Sequence, residues 1–195
     1  DFGPYVFSAV VFFQAGGFFR LTGMPLNALL DREEDAGLFF GEELYQLEQR
    51  LKEAFDPQEI GRHIELFLRK RMARAADLLP IDHAINSLVK SHGNLPIERA
   101  AALACLSTRQ FERKCQERLG LNPKLFARLI RFTKVYTIKE SRPEFKWTQI
   151  AYDLGYHDQM HLIRDFKTFA GFAPSVMEKI TDSSFQLINI LEPGL

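Results

Sequence analysis

Apolar residues recur at three- and four-residue steps along most of this chain, a periodicity that predicts helices. Over residues 42–55 they fall at Leu44, Leu47, Leu51, Ala54 and Phe55, the signature of one buried helical face. Asp56-Pro57 closes that helix and opens the next, with Asp56 as N-cap, Pro57 in the first turn, and Ile60, Ile64, Phe67, Leu68 and Met72 extending the stripe. The pair predicts a helical hairpin. Ahead of it the pattern changes. Residues 5–13 are β-favouring and predict a strand, Gly16-Gly17 breaks it, Phe18-Phe19-Arg20-Leu21 predicts a second, and Gly23-Met24-Pro25 marks a turn. One or two strands do not make a stable sheet. Their partners are expected elsewhere in the chain, in a second copy, or in sequence upstream of Asp1. Residues 185–191 alternate weakly and predict one more strand for that sheet.

Beyond residue 80 the pattern repeats. Ile97, Ala101, Ala104, Cys105 and Leu106 align with Trp147, Ala151, Leu154, Gly155 and Tyr156. After a one-residue insertion, Ser107, Phe111, Arg113, Cys115, Gly120 and Pro123 align with Asp158, Leu162, Arg164, Phe166, Gly171 and Pro174. Each copy reads as a short helix with a central Ala, a tight turn, an N-cap (Ser107 or Asp158), and a second helix ending at Gly, with Pro three residues later. This is helix-turn-helix grammar. Ser107 with Gln110 forms a capping box. Phe111 and Cys115, like Leu162 and Phe166, bury one face of the second helix. The opposite face is polar: Arg109, Glu112 and Arg113 in the first copy, Gln159, Met160, Ile163 and Arg164 in the second. Between the copies Leu125, Phe126, Leu129, Ile130, Thr133 and Tyr136 predict a linker helix over 124–141, about 27 Å long at about 1.5 Å per residue.

Composition adds the broad class. With 46% hydrophobic and 26% charged residues, 195 residues fold around a core as one or two domains. Two cysteines, Cys105 and Cys115, are too few for a disulfide scaffold and are expected as buried thiols in a reducing cytoplasm. No apolar run reaches the roughly 18 residues of a membrane span, so a soluble cytoplasmic protein, nucleoid-associated and without membrane contact, is expected. The formal net charge is zero, but residues 1–80 carry 9 Lys+Arg against 13 Asp+Glu, a net −4, while 81–180 carry 16 against 10, a net +6. The remaining 181–195 carry two acids and no base. This asymmetry fits a nucleic-acid module joined to a neutral or acidic partner domain. Arg69-Lys70-Arg71 with Arg74 is read as a solvated face near a boundary at residues 79–80.

Enzymatic signals are weak. His157 and His161 have the i, i+4 spacing of a zinc site, but Asp rather than Glu follows the first and no third ligand stands at a suitable distance. Gly16-Gly17 is no phosphate loop, and no nucleophile triad is visible. The chain is expected not to be an enzyme and to need no metal or cofactor.

Residues 150–167, Ile-Ala-Tyr-Asp-Leu-Gly-Tyr-His-Asp-Gln-Met-His-Leu-Ile-Arg-Asp-Phe-Lys, followed by Gly171-Phe172-Ala173-Pro174, resemble the second helix-turn-helix signature of the AraC/XylS family of bacterial transcription regulators. Residues 106–114 with Gly120-Leu121-Asn122-Pro123 are similar to the first. The resemblance covers about 81–177 and departs at Met160, Cys115 and Val176-Met177. It implies base reading by Arg109, Glu112, Arg113, Gln159, Met160, Ile163 and Arg164. Their chemistry agrees: Arg donates twice to guanine, Gln bonds the adenine edge, Glu accepts from cytosine, and Met or Ile touches a thymine methyl. Helix N-termini near Ser107 and Asp158, with Lys114 and Lys167, would hold phosphates. Residues 13–23 and the hairpin are similar to the tail of a β-rich sensor domain found upstream in some members, which implies effector sensing or a homodimer through residues 1–80.

The expected protein is thus mainly α: two helix-turn-helix subdomains joined by a long linker helix, preceded by a small β segment and a helical hairpin. Its domains are 1–80 (sensor remnant), 81–180 (DNA-binding) and 181–195 (tail). Its expected function is sequence-specific binding of double-stranded DNA to regulate transcription, with RNA polymerase, a second copy and a small-molecule effector as further partners. The competing expectation is a helical protein-binding adaptor that uses the Phe-rich N-terminal surface.

Overall fold

The computed structural model describes residues 9–177, which hold eleven α-helices and one 3₁₀ turn and, among the described residues, no strand. The first expected strand leaves residues 9–13 without regular structure; its residues 5–8, and the expected tail strand at 185–191, lie outside the described residues. The second expected strand is instead a helix, α1 (Gly17–Thr22). No neighbouring strand satisfies its backbone, whereas one closed turn does: Arg20 N–H donates to Gly16 O at 3.1 Å and Gly23 N–H to Phe19 O at 2.7 Å. Phe18 then meets Phe13, Phe39 and Phe40 at ring separations of 5.4, 5.3 and 6.2 Å, and Phe40 meets Phe67 at 5.4 Å. Much of the Phe-rich stretch therefore packs upon itself.

The 3₁₀ turn Leu26–Ala28 and α2 (Gly37–Phe40) lead into the hairpin of α3 (Glu42–Glu53) and α4 (Pro57–Met72). Asp56 caps α4, its Oδ1 accepting from Gln58 N–H at 3.1 Å. The basic run is tied down within the hairpin: Glu43 accepts from Arg71 at 2.9 Å and Arg74 at 2.7 Å and faces Lys70 at 3.3 Å. These cations hold the Glu43 carboxyl at about 2, well below the usual range.

The remainder is built of α5 (Pro80–Lys90), α6 (Ile97–Leu103), α7 (Thr108–Leu119), α8 (Pro123–Ser141), α9 (Trp147–Asp153), α10 (Gln159–Phe169) and α11 (Pro174–Met177). Two apolar clusters organise it. In the first, Ile85, Leu88, Ala101, Phe111 and Cys115 close on Phe126, Ala127 and Ile130; in the second, Trp147, Ile150, Leu162 and Phe166 close on Phe132, Val135 and Tyr136. α8 thus gives its first half to one cluster and its second half to the other.

Polar joints fix the two clusters relative to each other. Gly93 lies so close on the Ala127 carbonyl of α8 that no Cβ fits, and a Cβ on Gly155 would meet Asn94 Oδ1 at 2.7 Å. The turn before α6 therefore touches the turn before α10. Arg131 spans the same seam, donating to Gly93 O at 2.8 Å and covering the Tyr156 ring at 5.3 Å. Lys139 ends α8 by donating to Pro143 O and Phe145 O at 2.6 and 2.9 Å.

Residues far upstream also reach the first cluster. Ala15 packs against it, Leu26 lies beside Gly120 at the end of α7, and Phe19 stacks under the Arg118 guanidinium at 4.6 Å. Arg118 is itself buried and pairs with Asp82 of α5 at 3.5 Å.

Candidate nucleic-acid interface

The two copies of the repeat fold alike. In the first turn Cys105 N–H donates to Ala102 O and Leu106 N–H to Ala101 O, each at 3.0 Å; in the second Gly155 N–H donates to Tyr152 O at 3.0 Å and Tyr156 N–H to Ala151 O at 2.9 Å. The bonds sit fifty residues apart, so the inserted residue is His157, just before the α10 cap. Cys105 and Gly155 share the left-handed conformation that this turn requires, with φ of 54° and 74°. That position turns the Cys105 side chain outward, correcting the expectation of two buried thiols: Cys105 is exposed and only Cys115 is buried.

Each second helix is capped as its sequence predicts. Ser107 and Gln110 exchange bonds at α7, Ser107 N–H donating to Gln110 Oε1 at 3.0 Å and Gln110 N–H to Ser107 Oγ at 3.3 Å. Asp158 Oδ1 accepts from His161 N–H at 2.8 Å at α10, and this bond lowers the Asp158 pKa. Ala101 and Ala151 are buried and allow α6 and α9 to lie close to α7 and α10. Phe111, Cys115, Leu162 and Phe166 have no exposed surface.

With those faces buried, the predicted reading positions point the other way. On α7, Arg109 and Arg113 are exposed and Glu112 is half-buried. Together with Gln116, Asn122 and Lys124 they line one cleft of about 490 Å³ between α7 and the start of α8. The pairing of Glu112 with Arg109 that would have neutralised this face does not form among the described residues. On α10, Gln159, Met160 and Arg164 are exposed and Ile163 is half-buried. Ser107 and Asp158 stand at the two helix starts. Lys167 is exposed in the last turn of α10, and Lys114 pairs with Glu117 at 2.7 Å.

Sequence reasoning missed the groups that position these helices. Asp165 is buried in α10, accepts from Arg128 of α8 at 2.7 and 3.0 Å, and accepts from the Tyr156 hydroxyl at 3.1 Å. Burial and this carboxylate push the Tyr156 hydroxyl pKa upward. The signal was present in the helix phase: Asp165 stands three residues after buried Leu162, and Arg118 three after buried Cys115. A charge on the apolar phase needs a buried partner.

His157, Asp158 and His161 bring three possible metal ligands within 4.8 Å of one another, all of them exposed. The third group is the intervening Asp158, which also caps α10.

Residues 100–179 match the profile of a protein family described as a helix-turn-helix domain. No curated protein and no solved structure matches the chain. This match supports an AraC-like helix-turn-helix domain over residues 100–179. No helix among the described residues is long and apolar enough to cross a membrane.

Proposed function

We propose that the protein is a sequence-specific transcriptional regulator that places α7 and α10 in successive major grooves of double-stranded DNA. The observation that carries this reading is that two helices with the same turn, cap and buried face present arginines, Arg109, Arg113 and Arg164, that are exposed and unpaired among the described residues. An arginine left free on a capped helix N-terminal half can donate twice to guanine O6 and N7. Glu112, Gln159, Met160 and Ile163 supply the other base contacts, and free N–H groups of the helix N-termini near Ser107 and Asp158, with Lys167, supply phosphate contacts. α8 sets the separation. Its 19 residues span about 28 Å, less than the roughly 34 Å between successive major-groove faces, so the duplex bends toward the protein. Residues 1–80 serve effector sensing or pairing with a second copy, and RNA polymerase is the downstream partner of such a regulator.

Selection of bound duplexes from a random pool, with affinity measured over a range of salt, tests this reading. An enriched motif and a log affinity that falls linearly with log salt are expected. A pool that emerges without enrichment contradicts it.

A further inference from the structure

The cleft between α7 and α8 offers a contact of a different kind from base reading. Three cations, Arg109, Arg113 and Lys124, face the single Glu112 carboxylate across it, an excess of two positive charges, and none of the three is in an ion pair among the described residues. Lys124 comes to this face because Gly120 ends α7 in a left-handed turn (φ 73°) and Asn122 starts α8 at once, its Oδ1 accepting from Leu125 N–H at 2.8 Å. α8 is long and has no acidic residue in its first turn, so its N-terminal dipole adds to the positive field. Among the described residues the second copy lacks a lysine at this position. The residue aligned with Lys124 is Ser175, on the four-residue α11. Meanwhile Lys114, the lysine the sequence suggests for phosphate in this copy, is engaged by Glu117 at 2.7 Å.

We propose that this cleft seats one backbone phosphate of the DNA strand read by α7, held by the Lys124 ammonium with Gln116 and Asn122 beside it. The inference rests on the DNA-binding reading above. Lys124 then sets the register of α7 without reading sequence, and Arg109 and Arg113 remain available for base edges. Lys114 contributes little, because its charge is already met.

The test uses the full chain, with its selected duplex and a scrambled duplex, at salt from about 50 to 200 mM. Lys124→Gln should lower the salt slope by about 0.9, so that the wild-type advantage shrinks about 3.5-fold across that range, by the same factor on both duplexes. Lys124→Arg should keep the wild-type slope, and Lys114→Gln should change it less than Lys124→Gln does. Equal slopes for wild type and Lys124→Gln, or a loss confined to one base position, would overturn the proposal. If wild type selects a motif while Lys124→Gln keeps its slope, the phosphate assignment alone fails. If wild type shows no salt-dependent binding, the DNA-binding reading fails with it.

Discussion

Cys105 and Cys115 look equivalent in the sequence, each on an apolar phase of the first repeat, yet they occupy opposite environments. Cys105 takes the left-handed turn position that the second copy gives to Gly155, and its thiol faces solvent. Cys115 is sealed in the core, where burial pushes its thiol up to about 12 and keeps it protonated and unreactive. Iodoacetamide under native conditions should therefore label Cys105 at once and Cys115 only after unfolding, as read by mass spectrometry of peptides. Labelling of both at one rate would contradict this placement. The repeat alignment already put Cys105 opposite a glycine, which was the sign that its backbone, and not its apolarity, decides where it points.

At the scale of the helix, what was legible from sequence was what local chemistry settles. Asp56, Ser107 and Asp158 read as caps because a short polar side chain before an apolar stripe has one favourable use, and each makes that bond. α1 departs from the strand its sequence predicts because β-favouring aromatics describe a half-buried surface, and here the ring cluster of Phe13, Phe18, Phe39 and Phe40 supplies that surface without a sheet. Nor could spacing reveal that α1 and the 3₁₀ turn after it lie on the far end of α7. Arg118 carries that contact, pinned between Asp82 and the Phe19 ring. Arg118→Ala leaves the buried Asp82 carboxylate with the Leu79 N–H but without its cation and should destabilise the fold by about 3–5 kcal/mol. Chemical denaturation checks this; a change below about 1 kcal/mol would mean that water already compensates Asp82.

Across the whole molecule, the neutral net charge divides into an acidic and a basic part, and the structure shows how the two differ in use. In the acidic part the basic run at 69–74 is consumed by Glu43 and Glu65. In the basic part Arg109, Arg113, Lys124 and Arg164 stay open to solvent. The positioning charges Arg118, Arg128, Arg131 and Asp165 hold α7, α8 and α10 in one arrangement, so the separation of the two exposed faces is set by packing rather than by a flexible linker. That fixed separation makes the central claim, two reading helices acting on one duplex, directly measurable. Motif selection repeated with Arg113→Ala and with Arg164→Ala should give the wild-type motif relaxed at one position in each case, at a cost of about 1–3 kcal/mol, with the two positions about one helical turn, roughly 10 base pairs, apart. Relaxation within a single half-site, or a uniform loss over all sequences, would contradict it.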